Sequence, residues 1–158
     1  VNMPTLSIRV LKGFDGRARI YTMGMKDVES YGVPSRISFE FASRGAQQIM
    51  AVDSAFKCTA FVKKQAEDFK FNQIKVINAD AFQLLKKLPS KFDVIFADPP
   101  FAMEKIEQLI ELVFQNQLLK EDGIFILEHE GTHNFAFNKY LKEKRTYGKI
   151  TFSIFAHI

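Results

Sequence analysis

Segments patterned like strands and segments patterned like helices alternate regularly from about Ile37 onward. Short apolar runs predict the strands, and apolar residues spaced three or four positions apart predict the helices. Such alternation favours an α/β fold with a mostly parallel sheet and helices on both faces. The predicted strands are Gln48–Val52, Ile74–Ile77, Phe92–Ala97 and Gly123–Glu128, and the predicted helices are Ala55–Phe69, Ala81–Leu88 and Glu104–Gln117.

The two longer helices each show a predicted apolar face. In Ala55–Phe69 we expect that face to comprise Phe56, Ala60, Val62, Ala66 and Phe69. In Glu104–Gln117 we expect it to comprise Ile106, Leu109, Ile110, Val113 and Phe114. Pro89 is expected to end the short helix between them, because proline cannot continue a helix.

The end of the chain follows a different pattern. Gly148 marks a turn between two strand-like segments, Lys142–Tyr147 and Ile150–Ala156. Two strands joined by a short glycine-containing turn predict an antiparallel pair, here at the edge of the sheet.

Length and composition favour one globular domain over residues 1–158. The chain is 47% hydrophobic and 25% charged, with a formal net charge of +4 that suits a polyanionic partner without requiring one. No apolar run approaches the ~20 residues of a membrane span, and the first residues lack a signal-peptide pattern. Cys58 is the single cysteine, so no internal disulfide can form, a cytoplasmic setting is expected, and Cys58 is predicted to be a small core residue.

Three aspartates end three successive predicted strands: Asp53, Asp80 and Asp98. Ligands of open parallel sheets bind beyond the carboxyl ends of the strands. An acid after the second strand suits the two hydroxyls of a ribose, Asp80 is placed to meet an adenine amino group, and Asp98 would face the reacting centre. Taken singly, Asp53 or Asp80 could equally be an ordinary strand-end or helix N-cap residue. Together the three favour a nucleoside-containing cofactor.

The motif Asp98-Pro99-Pro100-Phe101 directly follows the strongest strand signal. The prolines stiffen the backbone and leave carbonyl groups without a strand partner. A carboxylate and a carbonyl can each accept an N–H of a planar amine, and an aromatic ring can stack on a base for roughly 1–3 kcal/mol. The motif therefore predicts a site that positions an exocyclic amine for in-line transfer of a small group. Alternatively, Pro99-Pro100 merely ends the strand and Phe101 packs in the core.

This motif resembles the (D/N)-P-P-(F/Y) signature of amino-group methyltransferases, and the stretch Ile37–Phe155 resembles the bacterial 16S rRNA guanine-N2 methyltransferases. The matching segments are Ser38–Ala46, Ala51–Asp53, Asn78–Asp80, Phe92–Phe101, Leu118–Gly123, Glu128-His129, Arg145–Gly148 and Phe152–Phe155.

The resemblance implies a class I methyltransferase fold, a Rossmann-like sheet of seven strands with the last one antiparallel. It implies S-adenosyl-L-methionine as cofactor and N2 of a guanine in 16S ribosomal RNA, or in the small ribosomal subunit, as the target. The residues it assigns to the cofactor are Asp53, Ser54, Asp80, Ala81 and Asp98, and it assigns catalysis to Asp98, Pro99, Pro100 and Phe101. A monomer is expected.

The family also carries a basic opening segment that acts on RNA, which Ile8–Gly13 and Gly16-Arg17 resemble. The RNA-binding residues implied here are Arg9, Lys12, Arg17 and Arg19.

Residues 1–36 depart from the family. Its first strand is followed by a glycine-rich loop of the type D-x-F-A-G-(S/T)-G, which lets the backbone approach the methionine part of the cofactor. Directly before Ile37, only Gly32 is a glycine, and Pro34 and Arg36 suit such a loop poorly. Loss of the loop, a shifted reading frame and residues absent from this sequence all remain open.

Three alternatives to an RNA methyltransferase follow from these observations. The missing glycine loop favours an RNA-binding module without catalysis. A DNA amino-methyltransferase would use the same motif, although no target-recognition segment is evident. A nicotinamide-dependent oxidoreductase lacks its G-x-G-x-x-G turn here and leaves Pro99-Pro100 unexplained. A metal site at His129, His133 or His157 is not expected, because no cysteine partner accompanies them.

Overall fold

The computed structural model describes residues 19–24, 38–39, 41–43, 45–88, 91–98 and 103–158. One seven-stranded sheet runs through them in the strand order β3-β2-β1-β4-β5-β7-β6. The strands are β1 (Arg19–Gly24), β2 (Gln48–Asp53), β3 (Ile74–Asn78), β4 (Phe92–Asp98), β5 (Leu119–Glu130), β6 (Leu141–Tyr147) and β7 (Ile150–Phe155). The helices are α1 (Phe56–Asp68), α2 (Ala81–Leu85) and α3 (Met103–Gln115), and residues 38–39 and 41–43 are also helical.

The pairing confirms the predicted fold class. Strands β1 to β5 pair in parallel, whereas β7 is antiparallel to both of its neighbours, β5 and β6. The predicted antiparallel pair at the sheet edge is therefore present. Within the described ranges, no helix is long and apolar enough to cross a membrane.

The sheet carries a core on each face. Beneath α1 and the helical residues 38–39 and 41–43, the core includes Phe41, Val62, Phe96 and Phe152. The opposite core lies beneath α2 and α3, and all five residues predicted for the inner face of α3 are buried there. Removal of this apolar surface from water is the main force that holds helices to sheet.

The central strand β1 is the element that the sequence did not predict. It pairs with β2 on one side and with β4 on the other, and Gly24 at its end lies opposite Asp98. Six residues, RIYTMG, with arginine at the start and glycine at the end, give only a weak strand pattern. Residues 25–37, where the glycine-rich loop was sought, lie outside the described part of the chain.

Two predicted boundaries were wrong by three residues or more. The helix expected over Ala81–Leu88 ends at Leu85, and a turn follows in which the Lys87 N–H donates to the Leu84 carbonyl. The strand expected to begin at Gly123 begins at Leu119, with an irregularity in its pairing to β4. At that irregularity, a Cβ on Gly123 would lie 3.0 Å from the carbonyl oxygens of Lys120 and Phe92, so the close backbone approach favours glycine.

The predicted buried face of α1 was also partly wrong. The buried residues are Cys58, Thr59, Val62 and Ala66, which follow the helical period closely. Phe56 and Phe69, expected in the core, are 74% and 60% exposed. Phe56 is the first residue of α1, and Phe69 follows its last residue. Ala60, also expected on the buried face, is exposed. The prediction that Cys58 is a core residue is confirmed.

His129 links β5 to β7 inside the sheet. Its Nδ1 lies 2.7 Å from the Glu130 carbonyl oxygen, and its Nε2 lies 2.7 Å from Ser153 Oγ. A carbonyl only accepts, so Nδ1–H is the donor to Glu130, whereas the Ser153 hydroxyl can either accept from Nε2 or donate to it. Burial lowers the pKa of His129 below its ordinary value and so favours the neutral ring, in which Nε2 accepts the hydroxyl proton.

We expect His129 to make stability sensitive to acid. Because its folded pKa is lowered, its contribution is present above the ordinary pKa of about 6.5 and is lost as pH falls through the lowered value. The melting temperature of the wild-type protein, measured between about pH 7.5 and about pH 5, is expected to drop. The drop should shrink in His129→Gln and persist in His157→Gln, which serves as the matched control. An equal drop in all three proteins would contradict this role.

Candidate cofactor and substrate site

The carboxyl ends of four neighbouring strands form one edge of the sheet, here called the rim. The register aligns Gly24 with Asp98, and Asp53 with Asn78. Strand order reverses between β1 and β4, because the chain winds outward to β2 and β3 on one side and to β4 and β5 on the other. Such a switch point is where open α/β sheets bind their ligands. The structure thus brings Asp53 and Asp98 to the same rim, on either side of β1.

Asp53 presents one carboxylate oxygen to its own loop and a second to the site. Oδ1 accepts the Ala55 N–H at 2.8 Å, whereas Oδ2 is buried and has no hydrogen-bond partner among the described residues. Burial raises the pKa of the Asp53 carboxyl, although N–H groups of Ala55 and Ser54 oppose the shift. A buried acceptor of this kind is costly unless a donor meets it. Two ribose hydroxyls would supply such donors, so the residue fits its predicted role.

The loop after β2 is held rigidly and displays an aromatic ring. The Asn78 side chain donates to the carbonyl oxygens of Asp53 at 3.1 Å and Ser54 at 3.2 Å, which fixes the loop to β3. Phe56, at the first position of α1, lies exposed three residues after Asp53. Neither Asn78 nor Phe56 was predicted to contribute to the site. Phe56 was assigned to the core, yet it falls outside the period of Cys58, Val62 and Ala66, and that mismatch was an available signal.

Asp80 caps a helix, which is the structural alternative considered for it in the sequence. It is the N-cap of α2, and its Oδ1 accepts the Gln83 N–H at 3.0 Å. Its side chain is exposed at the end of β3, so its contact with an adenine amino group stays a prediction. Ser54 is exposed beside Asp53, and Ala81 begins α2.

Asp98 is the last residue of β4 and is only 3% exposed. Its carboxylate lies at the rim beside the switch point, as predicted. Pro99, Pro100 and Phe101 lie outside the described residues, so their predicted roles remain predictions. The sequence analysis gave no separate role to Glu128, which is buried on the neighbouring strand β5.

Of the four residues predicted to bind RNA, Arg9, Lys12 and Arg17 lie outside the described part of the chain. Arg19 begins β1 opposite Gln48, at the amino end of the strand. Five residues of parallel strand place it about 16 Å from Gly24 and the rim. Arg19 therefore lies at the opposite end of the strands from Asp98, and its contact with RNA stays a prediction.

Among the described residues, no group of three or more histidine, cysteine, aspartate or glutamate side chains is placed to hold a metal ion. Burial, together with the charge of nearby Asp53, raises the pKa of the Cys58 thiol. Cys58 is thus kept in its neutral thiol form rather than as a nucleophilic thiolate.

The strand order is that of the class I methyltransferase fold, and similar solved structures agree. A conserved hypothetical protein of Streptococcus pyogenes superposes with a TM-score of 0.79 at 20% identity, over 96% of this chain and 92% of that one. An SAH-bound methyltransferase of Podospora anserina superposes with a TM-score of 0.73 at 12% identity, over 99% and 78% of the two chains. At sequence identities of 20% and 12%, these superpositions show a shared fold.

The chain belongs to the family described as Conserved hypothetical protein 95, whose model matches residues 20–156. It is 30% identical over 126 residues to Ribosomal RNA small subunit methyltransferase D of Buchnera aphidicola subsp. Baizongia pistaciae, covering 77% of this chain and 64% of that protein. The chain spans between 55% and 64% of the length of three curated relatives that it matches. The resemblance inferred from the sequence is thereby confirmed at the level of the family.

Proposed function

We propose that this protein is an S-adenosylmethionine-dependent methyltransferase that acts on the exocyclic amine of a base in ribosomal RNA, at N2 of a guanine in 16S rRNA. The observation that carries the proposal is the placement of Asp53 and Asp98 at one rim, on the two strands that flank β1. The rRNA methyltransferase names of its relatives support the substrate. Such a substrate implies a cytoplasmic protein, and we expect it to act as a monomer.

Asp53 is the residue best suited to hold the cofactor. Its buried Oδ2 would accept hydrogen bonds from the ribose hydroxyls, and the exposed ring of Phe56 lies on the same loop. Asp80 and Ser54 complete the proposed set at the ends of β3 and β2. When bound, S-adenosylmethionine supplies a methyl group on a positively charged sulfur.

Asp98 would orient the substrate. Its carboxylate accepts an N–H of the amine, which turns the nitrogen lone pair toward the methyl group and makes the transfer effectively unimolecular. As the N–C bond forms and the bond from the methyl carbon to the cofactor sulfur breaks, positive charge would develop on the nitrogen, and a buried carboxylate in contact would stabilise it. The amine then loses one proton to Asp98 or to water. A base within folded RNA must be splayed from its stack to reach this position.

Methyl transfer to isolated substrates tests the proposal. The protein, expressed from its complete gene, is incubated with tritiated S-adenosylmethionine and either small ribosomal subunits that lack the modification or duplex DNA. We expect label in the RNA of the subunits. Label in DNA instead would support the DNA amino-methyltransferase, and label in neither would refute the proposed activity.

An RNA-binding module without catalysis is the second candidate, because residues 25–37 contain only Gly32 where a glycine-rich loop is expected. Calorimetric titration with S-adenosylhomocysteine separates the two, since the module would bind RNA but not the cofactor product. Sequencing the gene across codons 14–37 would show whether a glycine loop is encoded in another frame.

A further inference from the structure

Glu128 lies beside Asp98 at the rim. The parallel pairing of β4 with β5 aligns Ala97 with Leu127, so the next pair in the same register is Asp98 and Glu128. Neighbouring strands are about 4.8 Å apart. The two carboxylate-bearing residues therefore begin from adjacent backbone positions at the end of the sheet where the substrate is proposed to bind.

Both side chains point to the same face of the sheet. Phe96, two residues before Asp98, and Ile126, two residues before Glu128, both belong to the core beneath α1. Alternate residues of a strand face the same way, so Asp98 and Glu128 share that face. Asp53 shares it too, because Ile49 and Ala51 of β2 belong to the same core. The rim thus presents its three buried acids to one side.

Glu128 is a buried carboxylate in an apolar setting. Glu128 is only 2% exposed, and Phe152 lies directly opposite on β7 in the apolar core. Burying a carboxylate costs free energy, and a second carboxylate on the next strand adds repulsion. Each ionised carboxylate can accept about four hydrogen bonds. A substrate with two adjacent donors would therefore add hydrogen bonds to both groups and reduce these costs.

The amine-bearing bases differ in what lies next to the amine. Guanine carries the N1–H donor beside its 2-amine, so its edge offers two donors in a row. Adenine and cytosine carry an acceptor ring nitrogen beside their amine. An ionised carboxylate can only accept, so two neighbouring carboxylates attract the guanine edge and repel the ring nitrogen of the other two bases.

We propose that Glu128 accepts the N1–H of the target guanine while Asp98 accepts an N–H of its 2-amine, so that Glu128 selects guanine among the amine-bearing bases. This inference rests on the proposed function and names the residue that gives it base specificity. Glu128 makes and breaks no covalent bond. It orients the guanine and discriminates against the amine-bearing edges of adenine and cytosine.

The test compares two variants on two substrates. Small ribosomal subunits are reconstituted with 16S rRNA that carries either guanine or 2-aminopurine at the methylated position. 2-Aminopurine keeps the 2-amine but has an acceptor at N1. The Glu128→Gln variant keeps the side-chain size and can donate, and Glu130→Gln, two residues along the same face but exposed, is the matched control. The measured quantity is kcat/KM for tritium transfer.

We expect the wild-type protein and Glu130→Gln to prefer guanine over 2-aminopurine by roughly 10- to 100-fold, the discrimination typical of a bidentate base contact. Glu128→Gln should lose a similar factor on guanine and lose the preference. Its affinity for S-adenosylhomocysteine should stay at the wild-type value.

The outcomes separate this inference from the proposed function. If the wild-type protein transfers no methyl group to guanine, the proposed function itself fails. If it transfers well but Glu128→Gln matches it on guanine, or the wild-type protein accepts 2-aminopurine equally, only the role of Glu128 is overturned. If Glu128→Gln does not fold, the ratio of the wild-type kcat/KM values on guanine and on 2-aminopurine still tests the role of Glu128.

Discussion

Replacing Asp98 with alanine is expected to lower kcat for methyl transfer by about 10²- to 10³-fold, the usual effect of removing one preorganised group that stabilises developing charge. Alanine removes both the acceptor for the amine N–H and the negative charge, whereas asparagine, which the (D/N)-P-P-(F/Y) signature also contains, would keep an acceptor. Positive charge that develops on the amine nitrogen would then lose the counter-charge in direct contact with it, in a buried site where its effect is strong. The measurement is the single-turnover rate with saturating S-adenosylmethionine, which reports the chemical step rather than product release.

The matched control for this change is Asp93→Ala on the same strand. Asp93 forms a partly exposed ion pair with Lys120 at 3.0 Å, near the amino end of β4. Pairs of this type contribute at most about 1 kcal/mol to stability. We expect Asp93→Ala to retain the wild-type rate. A rate for Asp98→Ala within about threefold of wild type would show that Asp98 does not contact the reacting amine.

Replacing Asp53 with asparagine is expected to weaken S-adenosylhomocysteine binding by about 10- to 100-fold, since hydrogen bonds to a charged group contribute roughly 1.5–3 kcal/mol. Asparagine can still accept the Ala55 N–H through Oδ1, but its NH₂ group replaces the Oδ2 acceptor. Calorimetric titration measures the change. Asp68→Asn, at the exposed far end of α1, is the control and should bind normally.

The same substitution is expected to stabilise the fold. Burial raises the pKa of the Asp53 carboxyl, so its contribution to stability is greatest below its ordinary pKa of 3.8 and is lost as pH rises through the raised value. At neutral pH the neutral amide should therefore raise the melting temperature, by about 2–4 °C for each kcal/mol gained. The gain should vanish as pH falls to about 4. A lower melting temperature with unchanged binding would show that Asp53 serves the fold rather than the cofactor.

Most of the sheet could be predicted from the sequence because its strands and helices carry strong local patterns. Phe92–Ala97 is apolar apart from Asp93, and α3 repeats apolar residues at the helical period. The position of Asp98 followed from these patterns, since a residue that ends a parallel strand must lie at the rim. The antiparallel hairpin at the edge followed from Gly148.

The remaining features depend on contacts between distant residues. Strand β1 is weakly patterned, and its place in the sheet comes from pairing with β2 and β4 rather than from its own residues. The pairing of Glu128 with Asp98 arises from the register of two strands, which no local pattern reveals. These non-local features are the ones that give the rim its proposed chemistry.

The most direct measurement of the proposed activity is the identity of the nucleoside that this protein produces. Small ribosomal subunits that lack the modification are treated with the protein and S-adenosylmethionine, and the 16S rRNA is digested to nucleosides for mass spectrometry. We expect N2-methylguanosine with the wild-type protein and its loss with Asp98→Ala. A methylated adenosine or cytidine, or no methylated nucleoside from the protein encoded by the complete gene, would contradict it.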